Sequence, residues 1–441
     1  MAATPQDDRM TRPQLMGWFS AFTGWLFDYY EIALLTFLVV PITQTFGLTS
    51  SQTAHFISVQ LLGIALGGVI FGFLGDRYGR QKILVVTIAM YGVFTLARAF
   101  APNYTTLMLL TVLAAVGLGG EYGVGQALVS ELVPASRRGW WSAMLYNGGM
   151  VGLALAAVVG GYLLPAVGWR WVFAISCAPI LLAFIVRKTA PESEVWEAAL
   201  DAERKQLGRP GTDWSLFAKR SFLVALLLCT VSAAIEFFAY YGVSAFLPTY
   251  LIEKQGLSFG HAAWWIMVEA LAIFIGVMIG GYTADRWGRR VTWTYLSLVA
   301  TVGGVVLAYF WNSAAQTLWI LVPFFVFYLG TGVVGVFGSL FSEQFPTRTR
   351  SVGVSTSLQV GRGLSYFPPL IAAAVYPVHG YQPLIYGGAV LYLLLAAIVW
   401  LFKDGSGEPI TAVVPDPVEL GTAPAATQPS ASDPSSGQVV R

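Results

Sequence analysis

Six ionisable residues interrupt otherwise apolar stretches of this chain. Five are acids: Asp28 and Glu31 in FDYYE (27–31), Glu121 in GLGGEYG (117–123), Glu236 at the head of EFFAYYG (236–242), and Glu269. One is a base, Arg362 in LQVGRGLSYF (358–367), with no charged neighbour within ten residues on either side. The two types do different chemistry. A carboxyl group sheds its charge by taking up a proton, whereas a guanidinium keeps its charge and presents a planar fork of donors that matches a carboxylate. Asp28 and Glu31, three apart, share a helix face. Gly361 and Gly363 leave room around Arg362. Five acids facing one arginine imply that some acids hold protons part of the time, and that Arg362 binds a carboxylate from one of them or from outside the chain.

Such residues need elements that place them. The 441 residues are 56% hydrophobic and 11% charged, against about 25% charged in a soluble protein, so lipid is the expected solvent and partner. The net charge of +2 and the absence of a basic patch interleaved with aromatics give no support to nucleic-acid binding. A bilayer-crossing helix needs about 20 apolar residues. Stretches near 16–40, 53–74, 83–101, 105–130, 139–165, 170–187, 221–251, 262–283, 291–311, 316–341, 352–376 and 381–402 satisfy that length. The expected fold is all-α and integral to the membrane, with about 12 transmembrane helices in two pseudosymmetric six-helix bundles.

An ionised residue at the middle of a span costs about 2.5–3.5 kcal/mol on insertion scales, so the six must face water, pair, or discharge. By helix rise, Arg362 lies roughly 18 Å in from Arg350, Glu121 about 15 Å from Glu131, and Asp28 and Glu236 roughly 20–24 Å in, all near the midplane. Glu269 is shallower, about 12 Å from His261. Polar residues one turn away extend the set. Asn147 and Gln359 occupy equivalent positions in the fifth and eleventh spans, and Tyr30, Tyr240 and Tyr241 offer hydroxyls.

Of the 25 Lys and Arg residues, 21 fall in one set of loops and only Arg98, Arg170 and Lys254 in the opposite set. Basic loops stay in the cytoplasm, so both termini and the central loop are expected there, in a multi-pass protein of the cytoplasmic membrane. The expected organisation is a tail (1–14), a six-helix bundle (15–188), a polar loop (189–218), a second bundle (219–403) and a disordered Pro/Ala/Ser-rich tail (404–441). The apolar segment after the polar N-terminus is too long and too acidic for a cleaved signal peptide and serves as the first span.

The halves repeat. GFLGDRYGRQK (72–82) recurs as GYTADRWGRRV (281–291), and ELVPASRRG (131–139) as EQFPTRTRSVG (343–353). Glycines in the first motif suit a tight turn and close helix approach. Asp76 suits a helix N-cap. A duplicated six-helix chain is what alternating access requires, two bundles rocking about a site at their interface.

On these residues the chain resembles the major facilitator superfamily over about 15–403. The likeness rests on the paired GxxxDRxGR loops, on Glu131 to Arg138 and Glu343 to Arg350, on GWRWVF (168–173) and on PESEVW (191–196). It implies small-solute transport by a rocker-switch motion, with Asp76, Arg77, Arg80, Glu131, Arg138, Asp285, Arg286, Arg289, Glu343 and Arg350 in gating rather than substrate binding. FDYYE, GLGGEYG and QVGRG (359–363) further resemble the organic-acid:proton symporters, the sialate, monocarboxylate and related metabolite groups. Leu113 stands where many symporters carry arginine, and YNGGMVGLALA (146–156) lacks the proline of the antiporter signature.

The expected function is symport of a small organic anion with protons. Arg362 is the carboxylate clamp, with Asn147, Gln359, Tyr30 and Tyr240 as further substrate contacts. Asp28, Glu31, Glu121 and Glu236 are the proton carriers. The alternative is a neutral or cationic solute, drug/proton exchange included, with the acids binding it. Cys177 and Cys229 form no CxxC, and His55, His261 and His379 sit near span ends, so neither a metal nor a cofactor is expected. No nucleophile–base pair suggests an enzyme. The proton gradient supplies the energy, and the chain is expected to work as a monomer.

Overall fold

The computed structural model describes residues 10–177, 185, 192–194, 196–198, 200–201, 219–245, 247–253, 255–314 and 318–403. Among the described residues there is no strand. Both predicted tails, beyond Met10 and Lys403, and most of the central loop lie outside them.

The N-terminal half runs through Arg12–Phe46, Ser50–Tyr78, Arg80–Arg98, Tyr104–Gly119 continued by Glu121–Leu132, Arg138–Val158, and Leu164–Ile175. The C-terminal half follows with Arg220–Ser244 and Leu247–Glu253, Phe259–Trp287, Arg289–Ala314, Leu321–Thr331 continued to Phe337–Gln344, Arg350–Leu364 with Phe367–His379, and Gln382–Ile398. They cover eleven of the predicted spans and the start of the sixth, of which 178–184 and 186–187 lie outside the described residues. By length and apolarity alone, ten described helices qualify as membrane-crossing. The fifth and sixth spans run together as Arg138–Ile175, and the eleventh is interrupted at Ser365–Tyr366.

Local sequence explains the ends. Thr11 and Thr49 cap their helices with reciprocal bonds to Gln14 and Gln52, and Asn103 and Ser258 accept from the third residue of theirs, satisfying donors that would otherwise be orphaned. The helices outrun the apolar stretches, Arg12–Phe46 against 16–40 for example, because these polar caps lie outside any hydrophobic window. In the N-terminal half one predicted continuity is broken. The fourth span divides at Gly120. The sixth starts after a kink at Gly168, whose φ of 80° is the left-handed region that glycine enters without strain. In the GxxxDRxGR loops only Gly79 and Gly288 make the turn, at φ 108° and 88°. Gly72 and Gly75 lie inside a helix and serve the close approach alone.

The halves meet along two seams, the second span against the eleventh and the fifth against the eighth. Large apolar side chains such as Leu66, Val93, Leu109, Leu227, Val302 and Val390 face outward, as a lipid-facing surface requires. In each half glycines let spans touch, and two stand at matching steps of the repeat. A Cβ at Gly67 would strike the Val116 carbonyl, and one at Gly276 the Leu329 carbonyl. Gly276→Val is expected to destabilise by about 1–3 kcal/mol through overpacking. The measurement is the unfolding midpoint in detergent; an unchanged midpoint would show that the eighth and tenth spans separate freely.

Candidate functional site

Arg362 lies on the eleventh span and is fully buried. Its Nη1 donates to Asp28 Oδ2 of the first span at 3.0 Å, and its Nε donates to the Tyr241 hydroxyl of the seventh at 3.1 Å. The rings of Tyr29, Trp25 and Phe237 surround the guanidinium at 4.8, 5.2 and 5.6 Å, a geometry in which aromatic faces attract a cation. Tyr146 on the fifth span fixes that shell: its carbonyl accepts from Trp25 Nε1 at 3.1 Å, and its hydroxyl meets that of Tyr29 at 2.8 Å. The ion pair is only half satisfied. Arg362 Nη2 and Asp28 Oδ1 have no hydrogen-bond partner among the described residues.

The other acids are held separately. Glu31 pairs with Arg98 at the end of the third span, which also donates to Thr95 at 2.6 Å and lies 4.5 Å from the Phe173 ring. This corrects the charge inventory. Arg98, assigned above to an outer loop, is buried, so two bases rather than one face the five acids. Removing one partner of a buried pair costs about 3–5 kcal/mol, whereas replacing both by apolar residues is often neutral. Glu31→Leu is therefore expected to lower the unfolding midpoint sharply and Glu31→Leu with Arg98→Met to restore most of it; a double variant no better than the single would disprove the coupling.

Glu121 accepts from the Thr87 hydroxyl, and Gly24 on the first span leaves it the space that a Cβ would fill. Glu236 accepts weakly from Tyr392 at 3.4 Å, and Glu269 from Tyr240 at 2.9 Å.

A cavity of about 50 Å³ opens between the halves. It lies on the side of the ion pair away from the GxxxDRxGR loops. Tyr29, Thr36, Gln60, Tyr240, Tyr241, Ser244 and Glu269 are its polar lining. Tyr29 and Tyr241 stand between this space and Arg362. Of the predicted substrate contacts, Tyr240 lines the cavity. Asn147 instead donates to the Phe274 carbonyl of the eighth span at 3.3 Å and Gln359 to the Gly119 carbonyl of the fourth at 2.9 Å, so each bonds to the opposite half. Tyr30 turns to Ser176, 2.8 Å away.

At the face bearing the GxxxDRxGR loops the halves are tied by two related clusters. Asp76 accepts from the backbone N–H groups of Ser351 and Val352 at 3.3 and 2.8 Å, capping the first turn of the eleventh span. Asp285 does the same for the fifth, from Gly139 and Trp140 at 2.9 and 2.8 Å. Each carboxylate therefore meets the positive end of a helix in the opposite half. Glu131 binds Arg80 at 3.2 Å and Arg350 at 2.8 Å; Glu343 binds Arg289 at 3.0 Å and Arg138 at 3.5 Å. The E-x6-R pairs thus close crosswise between halves, each glutamate on the other half's arginine. Arg77 and Arg286 stand outside both clusters, exposed over the rings of Tyr78 and Tyr282.

One participant went unread. Glu192, in the PESEVW stretch, caps the third span by accepting from Arg80 N and Gln81 N at 3.0 and 3.2 Å, while Ser193 donates to Glu131 and Trp196 Nε1 to the Asp76 carbonyl. Burial raises the Glu192 carboxyl above its ordinary value. Because the folded state then holds the proton longer, it loses stability as pH rises between the unfolded and folded values.

Comparison with known proteins gives these features a setting. The sequence pattern of the Major Facilitator Superfamily matches residues 15–368. The niacin transporter NiaP of Acinetobacter baylyi is 28% identical over 88% of this chain and 94% of its own length. The cis,cis-muconate transport protein of the same organism is 29% identical over 78% of this chain and 83% of its own. In fold, the proton:xylose symporter XylE superposes with a TM-score of 0.77 over 90% of this chain and 98% of its own, at 17% identity. The pattern runs through both halves and takes in the repeated loops and the crossed ion pairs: this chain belongs to the Major Facilitator Superfamily, whose members are transporters.

Proposed function

We propose that this transporter moves a small organic anion across the cytoplasmic membrane by proton symport and alternating access, with no cofactor and as a monomer. The observation that carries the reading is the half-satisfied pair between Arg362 and Asp28, which joins the two halves at mid-membrane. An incoming carboxylate can take the free Nη2 edge of Arg362 and compete with Asp28 for the rest of the fork. Asp28 released from arginine is an unpaired buried carboxylate, and taking up a proton removes its charge. Solute and proton then enter together. Glu121 and Glu236 are the next acids for proton transfer, and Glu31, held by Arg98, acts on the first span's position.

With the basic loops in the cytoplasm, the two crossed clusters close the cytoplasmic side and the cavity belongs to the outer half of the pathway. Asn147 and Gln359 then break and remake their bonds to the opposite half as the halves rock. The niacin and muconate relatives carry carboxylates by name, which supports an anionic substrate here. A second reading, transport of a neutral or cationic solute, has one observation in its favour: the charged residue on the cavity wall is an acid, Glu269.

Proteoliposomes with an inward proton gradient separate the two. Labelled nicotinate and benzoate are expected to accumulate, and a protonophore to abolish the accumulation. Gradient-driven uptake of xylose or a cationic dye without either carboxylate would select the second reading.

A further inference from the structure

Glu269 is 1% exposed, yet it lines the cavity between the halves. Among the residues lining that cavity it is the sole Asp, Glu, Lys, Arg or His. Its Oε1 accepts from Tyr240, and its Oε2 has no partner among the described residues. A buried polar atom left unpaired is costly, and here the open side is the space a solute enters.

The surrounding hydroxyls are organised around it. Tyr240 and Tyr241 are consecutive on the seventh span, their rings 5.2 Å apart. Tyr241 accepts from Arg362 and Tyr240 donates to Glu269, so one peptide unit fixes the separation between the guanidinium and the acid. Ser244, one turn beyond Tyr240, also lines the cavity and is oriented by the Tyr328 hydroxyl at 2.9 Å. The spacing from Gln60 to Glu269 equals that from Asp76 to Asp285, so the two occupy related positions in the repeated halves, and Gln60 lines the same cavity. The fold accepts a neutral amide at this position in one half; in the other it carries a carboxyl.

We propose that Glu269, with the Tyr240 and Ser244 hydroxyls, forms a second polar subsite that recognises a hydrogen-bond donor, O–H or N–H, on the end of the solute remote from its carboxylate. Arg362 takes the anionic end and Glu269 the donor end, and the rings of Tyr29, Tyr240 and Tyr241 between them suit a flat ring. The favoured solute class is a small ring carboxylate bearing a hydroxyl or ring N–H. The assignment rests on the anion reading for the Arg362 end only; the donor preference is a property of Glu269 and is tested separately.

The test measures dissociation constants by calorimetry in detergent for benzoate, 3-hydroxybenzoate, 4-hydroxybenzoate, phenol, anisole and nicotinamide. Wild type, Glu269→Ala, Glu269→Gln, Tyr240→Phe and Arg362→Gln are compared. A site built around a solute hydroxyl discriminates strongly against the analogue that lacks it. Wild type is expected to prefer a hydroxybenzoate over benzoate by about 10–100-fold. Glu269→Ala is expected to bring that ratio near one while benzoate binding persists, and Glu269→Gln, which keeps an acceptor oxygen, to retain part of it. Arg362→Gln is expected to weaken all three benzoates together and leave their ratio intact. Tyr240→Phe removes the group that orients the carboxyl without touching its charge, and is expected to narrow the ratio even if Glu269→Ala fails to fold. If the carboxylates do not bind but phenol outbinds anisole, and Glu269→Ala erases that difference, the subsite stands and the anion reading falls. Equal losses for hydroxylated and plain probes in the Glu269 variants overturn the subsite, as does a wild type that shows no donor preference or binds none of the probes.

Discussion

Proton-driven uptake of a labelled carboxylate is expected to fall by at least about 100-fold in Arg362→Gln, since losing one partner of a buried, hydrogen-bonded charge pair costs about 3–5 kcal/mol and removes the anion's counter-charge as well. Arg362→Lys is expected to recover little, because an ammonium cannot serve Asp28, Tyr241 and a substrate carboxylate with one planar fork. Asp28→Asn separates binding from coupling. Arginine then has a neutral neighbour, so carboxylate affinity is expected to hold or rise, and solute exchange between loaded vesicles to continue. Accumulation against a gradient should collapse, because the proton-carrying group is gone. The measurement is exchange and net uptake side by side. Equal loss of both in Asp28→Asn would make the acid a structural partner, and full uptake in Arg362→Gln would remove the clamp from the mechanism.

The second large effect concerns the crossed clusters. Asp76 holds the N–H groups of Ser351 and Val352, and Asp285 those of Gly139 and Trp140. Hydrogen bonds to a charged group contribute about 1.5–3 kcal/mol. Asp76→Asn is therefore expected to speed amide exchange at 351–352 by about 10- to 100-fold. If the halves part as rigid bodies, exchange at 139–140 must rise with it, although Asp285 is untouched. Exchange that rises at 351–352 alone would show two independent latches. Uptake in Asp76→Asn is expected to shift toward the conformation open at the charged face, lowering affinity for solute offered from the other side.

Periodicity of apolar length was enough to read the spans, because lipid allows only helices long enough to cross it, and the repeated loops exposed the two halves. The acids and Arg362 stood out for the same reason: each violates an apolar background. What a single chain does not display is rotation about each helix axis and depth to within a turn. Arg98 fell at the edge of a span and was counted with the loops, though its side chain turns inward to Glu31. Glu131 and Arg138 stand near each other in sequence, yet each closes on the opposite half, a pairing decided by how the bundles face one another. Asn147 and Gln359 stand at the same step of the repeat in sequence, yet each bonds to a carbonyl of the opposite half, on the eighth and the fourth span, rather than facing the cavity. The aromatic shell around Arg362 carried no distinguishing signal, since aromatic residues are common throughout a membrane protein and only their convergence marks Trp25, Tyr29 and Phe237.

The partners in the central ion pair are 334 residues apart. At a synthesis rate of about 5–20 residues per second, Asp28 enters the membrane roughly 17–67 s before Arg362 leaves the ribosome. Glu31 and Arg98, only 67 residues apart, meet within the first bundle and need not wait. The first bundle must therefore be inserted with one acid provided for and one not, and Asp28 has to spend that interval discharged or wetted. Biogenesis of this chain thus contains a built-in delay, ended only when the eleventh helix arrives, and the acid proposed to couple transport is also the one whose pairing depends on nearly the whole chain being made.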